Sequence, residues 1–138
     1  MQLSDEFNLY KTVDGKFSDQ IGPYYYKNDF PDTIFAVEIK EKQTNLRQVA
    51  HGGFLMAFAD SVGGYFAYKA TMRSSVTVNL NSNFISPVPI NSLLEAKGNV
   101  LRKGKRTIFV SVEMFVKKKL VFCASGVWQI INIENAKF

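Results

Sequence analysis

An α+β fold is expected for this chain, with a strongly curved antiparallel sheet wrapped around one long central helix. Three observations lead to it. Residues 53–70 form the one strong helical stretch, and it is apolar on nearly every side. After Arg73 the hydrophobic period changes to two, the signature of half-buried strands. A length of 138 residues suits a single domain with one core. A lone sheet must bury one face, and that helix is the only large apolar object available to cover it.

The elements follow in order. Residues 1–30 form an N-terminal extension and a first strand, so that one domain spans 1–138. Asp14-Gly15 and Gly22-Pro23 mark turns, while Tyr24-Tyr25-Tyr26 favours extended backbone. Residues 33–40 alternate Ile34, Ala36 and Glu38 against Phe35, Val37 and Ile39, the pattern of a strand. A polar connection, 41–50, leads to the helix. Gly63-Gly64 inside the helix costs about 1 kcal/mol per glycine relative to alanine, so another backbone is expected to pack closely there. Segments 75–85, 93–102, 107–116 and 120–131 are rich in β-branched and aromatic residues and form strands. The breaks at 86–89, 103–105 and 117–119 fit hairpins, which gives four strands in a meander. A helix apolar all round still has a face the sheet cannot reach, and dimerisation is the simplest way to cover it.

Composition narrows the function classes. The chain is 46% hydrophobic and 21% charged, an ordinary globular balance. No apolar run is long enough to span a bilayer. Residues 1–6 lack a basic region followed by an apolar one, so no secretory signal is expected and the cytoplasm is the default location. Cys123 is the only cysteine, which leaves no internal disulfide and no cysteine-based metal cluster. It lies in an apolar strand, where an inert thiol is expected. The net charge of +5 fits nucleic acid, an anionic surface, a phosphorylated ligand or merely a soluble basic protein.

The chemistry concentrates in 45–60. Asp60 sits mid-helix among apolar neighbours. Desolvation there would raise its pKa and make it a better base than a surface carboxylate. A structural aspartate facing a polar seam or a subunit interface is the alternative. His51 is the only histidine and precedes Gly52-Gly53. Two glycines at a helix start admit close approach to the backbone, and free N–H groups there favour a developing negative charge. That outlines an oxyanion hole, although a plain Gly-Gly turn has the same sequence. Asp60 follows Gly52 by eight residues, or about 12 Å along a helix. A carbonyl polarised by the Gly52 N–H cannot be attacked by Asp60 of the same chain. If both act, they come from different subunits.

No Gly-x-Ser-x-Gly elbow, phosphate loop or dinucleotide fingerprint is present. One histidine and one distant cysteine make metal ligation unexpected. The spacing Asn45-x5-His51-Gly52-Gly53-x6-Asp60 resembles the signature of hotdog-fold acyl-CoA thioesterases of the phenylacetate-pathway (PaaI-like) type, within the 4-hydroxybenzoyl-CoA thioesterase superfamily. The likeness covers most of the chain and includes 21–24, 75–78 followed by 84–87, and 103–106. One departure is Gln48, where members commonly have glycine three residues before the histidine.

The resemblance implies a hotdog fold, a dimer or dimer of dimers, and hydrolysis of an acyl-CoA to a free acid and coenzyme A without another cofactor. It assigns Asp60 as general base or nucleophile and Gly52 as the N–H donor from the neighbouring subunit. Asn45 would orient the thioester or water, His51 would support the loop and the sulfur side, and Thr77 would hold the water. Gly53 would line the substrate. Arg102, Lys103, Lys105 and Arg106 put four cations in one hairpin, able to meet coenzyme A phosphates or to blunt aggregation as a solvated tip. Lys117-Lys118-Lys119 has the character of such a tip. Rival readings are a non-catalytic acyl-CoA-binding or regulatory domain, a hotdog dehydratase and a nucleic-acid module. The last would need exposed aromatics among its basic residues, whereas Phe54, Phe58 and Phe66 sit in the helix. No nucleic-acid or membrane partner is expected.

Overall fold

The computed structural model describes residues 3–132. Seven strands form one antiparallel sheet: β1 (Asn8–Tyr10), β2 (Tyr24–Lys27), β3 (Ile34–Glu38), β4 (Ser75–Phe84), β5 (Leu93–Lys103), β6 (Thr107–Val116) and β7 (Lys119–Ile130). Their order across the sheet is β1-β2-β3-β5-β6-β7-β4. A five-residue helix, α1 (Phe17–Ile21), lies between β1 and β2, and a 3-10 turn (Glu41–Gln43) follows β3. The long helix α2 (Gly52–Thr71) packs on the inner face of the sheet. This is the hotdog arrangement expected. Among the described residues no helix is long and apolar enough to cross a membrane.

The core follows from strand alternation. In β6, Ile108, Val110, Val112 and Met114 point inward, opposite Trp128, Gly126, Ala124 and Phe122 of β7. Phe35, Val37 and Ile39 extend the layer at β3. From α2, Phe58, Val62 and Phe66 fill the trough, each at most 1% exposed. Burying each of these phenylalanines contributes about 1.5–3 kcal/mol. The helix begins at His51 and stops at Met72, whose φ of 55° is left-handed and whose N–H bonds back to the Tyr68 carbonyl at 2.6 Å. Its other side, with Met56, Ala57, Asp60, Ser61, Gly64 and Tyr68, is left partly or fully exposed.

Two expectations are corrected. The meander is three strands, β5-β6-β7, and β4 lies beyond β7 at the edge. Residues 86–89 therefore make no hairpin. Pro87 and Pro89 offer no N–H to a ladder, and this linker pairs instead with the helix entry. Ala50 N–H donates to the Val88 carbonyl at 2.8 Å and Ile90 N–H to the Gln48 carbonyl at 3.0 Å. That route carries the chain across the helix start, so that β5 joins β3. Second, what packs on Gly63 is a side chain. A Cβ there would fall 2.2 Å from Cη2 of Trp128. The β6–β7 hairpin turns as expected, with Lys117 and Lys118 both at positive φ, the geometry of a tight two-residue connection.

Candidate active site

Asp60 projects from the uncovered side of α2 toward β4. The Thr77 hydroxyl donates to its Oδ1 at 2.5 Å, within the range of a charge-assisted O–H···O⁻ bond. A β-bulge helps aim Thr77. The β4–β7 register shifts between Thr77 and Asn79, leaving Val78 as the extra residue. Such bulges twist a strand and redirect its side chains. Around the pair lies a cleft of 310 Å³, lined by Ser61, Gly64, Tyr68, Ser74, Ser75 and Trp128 besides Asp60 and Thr77. The burial in apolar company expected of Asp60 does not occur within one chain, where the residue is exposed. The apolar neighbours in sequence, Ala59 and Val62, turn inward to the core instead.

The start of α2 is built by His51. Its backbone is extended, and its Nδ1 accepts from the Gly53 N–H at 2.8 Å. Gly53 therefore spends its amide on the cap. The Leu55 N–H closes the first turn on the His51 carbonyl at 3.1 Å. Among the described residues the Gly52 N–H takes no partner, which leaves it available to an incoming oxygen. A Cβ at Gly52 would lie 3.3 Å from Cε1 of Phe84, so a side chain there needs that exposed ring to give by a few tenths of an ångström.

Asn45 is engaged in its own loop. Its Oδ1 accepts from the Arg47 N–H at 2.9 Å, its N–H donates to the Val49 carbonyl at 2.9 Å, and its carbonyl accepts from the Gln48 N–H at 3.0 Å. The loop thus folds as a tight turn with Gln48 at φ 60°, the left-handed region that glycine occupies most cheaply.

The cationic hairpin lies at the opposite end of α2. Lys103 Nζ donates to the Ala70 carbonyl at 3.1 Å and so answers the negative end of the helix. Arg102, Lys105 and Arg106 are exposed around it. Gly52 and Ala70 stand about 27 Å apart at the helical rise.

The structure thus brings Asp60 and Thr77 together, and separately His51, Gly52 and Gly53. It does not join the two groups within one chain, nor either group with the hairpin cations. Trp128 went unrecognised in the sequence as a wall of the Asp60 cleft, and the Gly63-Gly64 pair was its signal.

Comparison with known proteins adds the following. The model of the thioesterase superfamily matches residues 47–123. A protein of Pseudomonas aeruginosa named, provisionally, as an esterase is 32% identical over 115 residues, covering 81% of this chain and 86% of that protein. Mouse acyl-coenzyme A thioesterase 13 is 28% identical over 95 residues, 67% of each chain. The solved structure of a variant of the phenylacetic acid degradation protein PaaI from Thermus thermophilus superposes with a TM-score of 0.75 at 23% identity, covering 83% of this chain and 97% of that one.

Proposed function

The chain belongs to the thioesterase superfamily, and from that premise we propose that it hydrolyses acyl-CoA thioesters to a free acid and coenzyme A, with Asp60 as the base or nucleophile. The observation that carries the assignment is the Thr77–Asp60 hydrogen bond. One carboxylate oxygen is held by Thr77, and Oδ2 is left to work. As a base, Oδ2 takes a proton from water while the water oxygen attacks the thioester carbonyl carbon. The carbonyl oxygen becomes an oxyanion and accepts the Gly52 N–H. Collapse then breaks the carbon–sulfur bond, and the departing thiolate takes up the proton. As a nucleophile, Oδ2 itself attacks and a mixed anhydride is hydrolysed in a second step.

Both routes need Gly52 close to Asp60, and the edge strand supplies a means. Among the described residues β4 pairs only with β7, which leaves its outer edge free. That edge and its continuation expose large apolar side chains, with Val78 at 59%, Phe84 at 55% and Ile85 at 50%. Thr77, beside Asp60, stands near the start of β4; Phe84, beside Gly52, stands at its end. Antiparallel pairing of β4 with a second copy about a two-fold axis lays one strand's start against the other's end. Asp60 of each chain then lies next to Gly52 of its partner, which makes two sites per dimer. A dimer of dimers would preserve both.

Two variants test the whole reading. Asp60→Asn should abolish acyl-CoA hydrolysis while the oligomer stays folded, and full activity would remove Asp60 from the mechanism. Gly52→Pro deletes the N–H at the first helical position, where proline is tolerated, and should also be inactive. Unfolding and refolding the two inactive proteins together should recover activity, because a mixed dimer holds one intact site. No recovery, with mixed dimers present, would place the site within one chain. Oxygen-18 water in a single turnover separates base from nucleophile, since only the nucleophilic route leaves label in the enzyme.

A further inference from the structure

The sheet has a second face, turned away from α2, and toward β3 that face is hollowed. On β5 and β6, Leu94, Ala96, Val110 and Val112 point to the core, so Lys97, Asn99, Ser111 and Glu113 point outward. Strand β3 starts at Ile34, opposite Lys97, and β5 runs on beyond it. Between that outer face and the loop 28–33 lies a hollow of 590 Å³, whose polar lining is Asn28, Asp32, Lys97, Asn99, Ser111 and Glu113 with the buried Thr33. The loop is a fixed wall. The Asp32 N–H donates to the Asp29 carbonyl at 2.8 Å, the Phe30 ring packs on Phe66 with centroids 5.7 Å apart, and the Thr33 hydroxyl meets that of Tyr65 at 2.9 Å. A second hollow of 320 Å³ adjoins the first, sharing Ile34 and Lys97 and adding Phe115, Glu95 and Lys118.

The charges in these hollows do not neutralise one another. Lys97 and Glu113 stand directly opposite in the β5–β6 register, a position at which opposite charges usually attract. Lys97 Nζ lies instead over the Phe115 ring, 5.1 Å from its centroid. Among the described residues the one ion pair is Lys27–Glu6, so Lys97, Glu113 and Asp32 are all without a counter-charge in contact. The first hollow thus offers two free carboxylates, and Lys97 stands at its junction with the second. Past Lys97 the side chains of Ile34 and Phe115 give an apolar floor. The remaining charges there, Glu95 and Lys118, are of opposite sign and leave the balance unchanged. A simple amine would meet only the carboxylates, and a simple carboxylate only Lys97. A molecule carrying ammonium and carboxylate on one carbon meets both, and its side chain can lie on the apolar floor.

We infer that the outer face of the sheet binds a free apolar α-amino acid, its ammonium between Glu113 and Asp32, its carboxylate on Lys97 and its side chain over Ile34 and Phe115. Charge-assisted hydrogen bonds at both ends fix the orientation of such a ligand. The site lies on the face of the sheet opposite α2 and Asp60, and β7 separates it from the β4 edge. A ligand there does not compete with an acyl-CoA at Asp60, and the inference stands independently of the thioesterase reading.

The test is calorimetric titration of the full chain with leucine, isoleucine, valine, methionine and phenylalanine at millimolar concentration. Isocaproate and isoamylamine serve as controls, since each keeps the leucine side chain and lacks one of its two charges. At least one amino acid should bind saturably, with one site per chain, and leucine should bind more tightly than either control. Glu113→Gln and Lys97→Met should each weaken binding about three- to tenfold, the usual effect of losing one hydrogen-bond partner. Both side chains are exposed, so both variants should melt with wild type, which keeps the comparison free of folding effects. Glu113→Gln should narrow the gap between leucine and isocaproate, and Lys97→Met the gap between leucine and isoamylamine. Absence of saturable binding by all five amino acids overturns the inference. So does a control that binds as tightly as leucine, or an affinity that neither substitution changes.

Discussion

The Nδ1 atom of His51 accepts the amide proton of Gly53 at 2.8 Å, so the only histidine of the chain is the cap of its central helix. An Nδ1 that accepts leaves the imidazole proton on Nε2, pointing outward as a donor. Two roles thus share one ring, and substitution separates them. His51→Ala removes both and should cost about 0.5–2 kcal/mol of stability, the usual loss for an N-cap. His51→Asn keeps a capping oxygen and should recover most of that loss in a thermal melt. Its kcat/KM should nevertheless stay below wild type, because no donor stands where Nε2 did. Wild-type kcat/KM in His51→Asn would reduce the histidine to its structural role.

Thr77 makes a similar division possible at the other end of the site. Thr77→Val keeps the shape of the side chain and removes the proton donated to Asp60 Oδ1. Both residues are exposed, so stability should change little. The carboxylate, released to rotate, should lower kcat by about ten- to a hundredfold, the scale of a misplaced reacting group. KM should move far less, and Thr77→Ser should restore most of kcat. A fall in KM-dependent binding with kcat intact would instead make Thr77 a substrate contact.

Much of this was legible in the sequence, for identifiable reasons. Helix α2 and the strands β5, β6 and β7 announced themselves by period, because each buries a full face against the others. Asp60 and Gly52 could be singled out as candidates by their residue types and place on the helix, and their separation followed from helical rise alone. The place of β4 was not legible. Alternation says that Val76, Val78 and Leu80 belong to a strand, but carries no information about which neighbour the strand takes. The choice was made by the proline linker at 87–89, which binds the helix entry. The Gly63-Gly64 pair signalled close packing, yet could not say that the partner was an indole from the far end of the chain. Strand β1 and helix α1 are too short to carry a period at all.

Alkaline pH gives a separate handle on the packing around Tyr24. Burial pushes the Tyr24 hydroxyl up from 10.0 to about 12, with Ser61 pulling more weakly the other way. Below pH 10 the phenol is protonated in both folded and unfolded chains, so it contributes nothing to a pH dependence. Between pH 10 and 12 the unfolded chain loses that proton first, and stability falls with rising pH. A shift of this size corresponds to about 2–3 kcal/mol lost across the window. Burial also raises Tyr10, which adds a loss of the same sign. Urea unfolding from pH 9 to 12 should therefore show a steep decline, less steep in Tyr24→Phe. Parallel curves for the two proteins would mean that Tyr24 ionises in the folded state as it does in the unfolded one.

Gln48 poses the last question, because its loop leads into the candidate site. Its φ of 60° is left-handed, which costs a residue with a Cβ about 1–2 kcal/mol. The chain cannot relax there: the Gln48 N–H donates to the Asn45 carbonyl at 3.0 Å and its carbonyl accepts from Ile90 at 3.0 Å. The first bond closes the turn between β3 and α2, and the second holds that turn against the linker that precedes β5. Glycine adopts this conformation freely but gives back about 0.5–1 kcal/mol through the greater freedom of the unfolded chain. The side-chain bond from Gln48 to Glu41 Oε1, 3.2 Å long and exposed, is worth little. Gln48→Gly should therefore leave stability unchanged or raise it by up to about 1 kcal/mol, with hydrolysis retained. Gln48→Val, β-branched and ill suited to positive φ, should lower the melting temperature. It should also weaken activity as the turn holding Asn45 loosens. A marked loss of stability in Gln48→Gly would show that the glutamine side chain, rather than the backbone turn, holds the entry to α2.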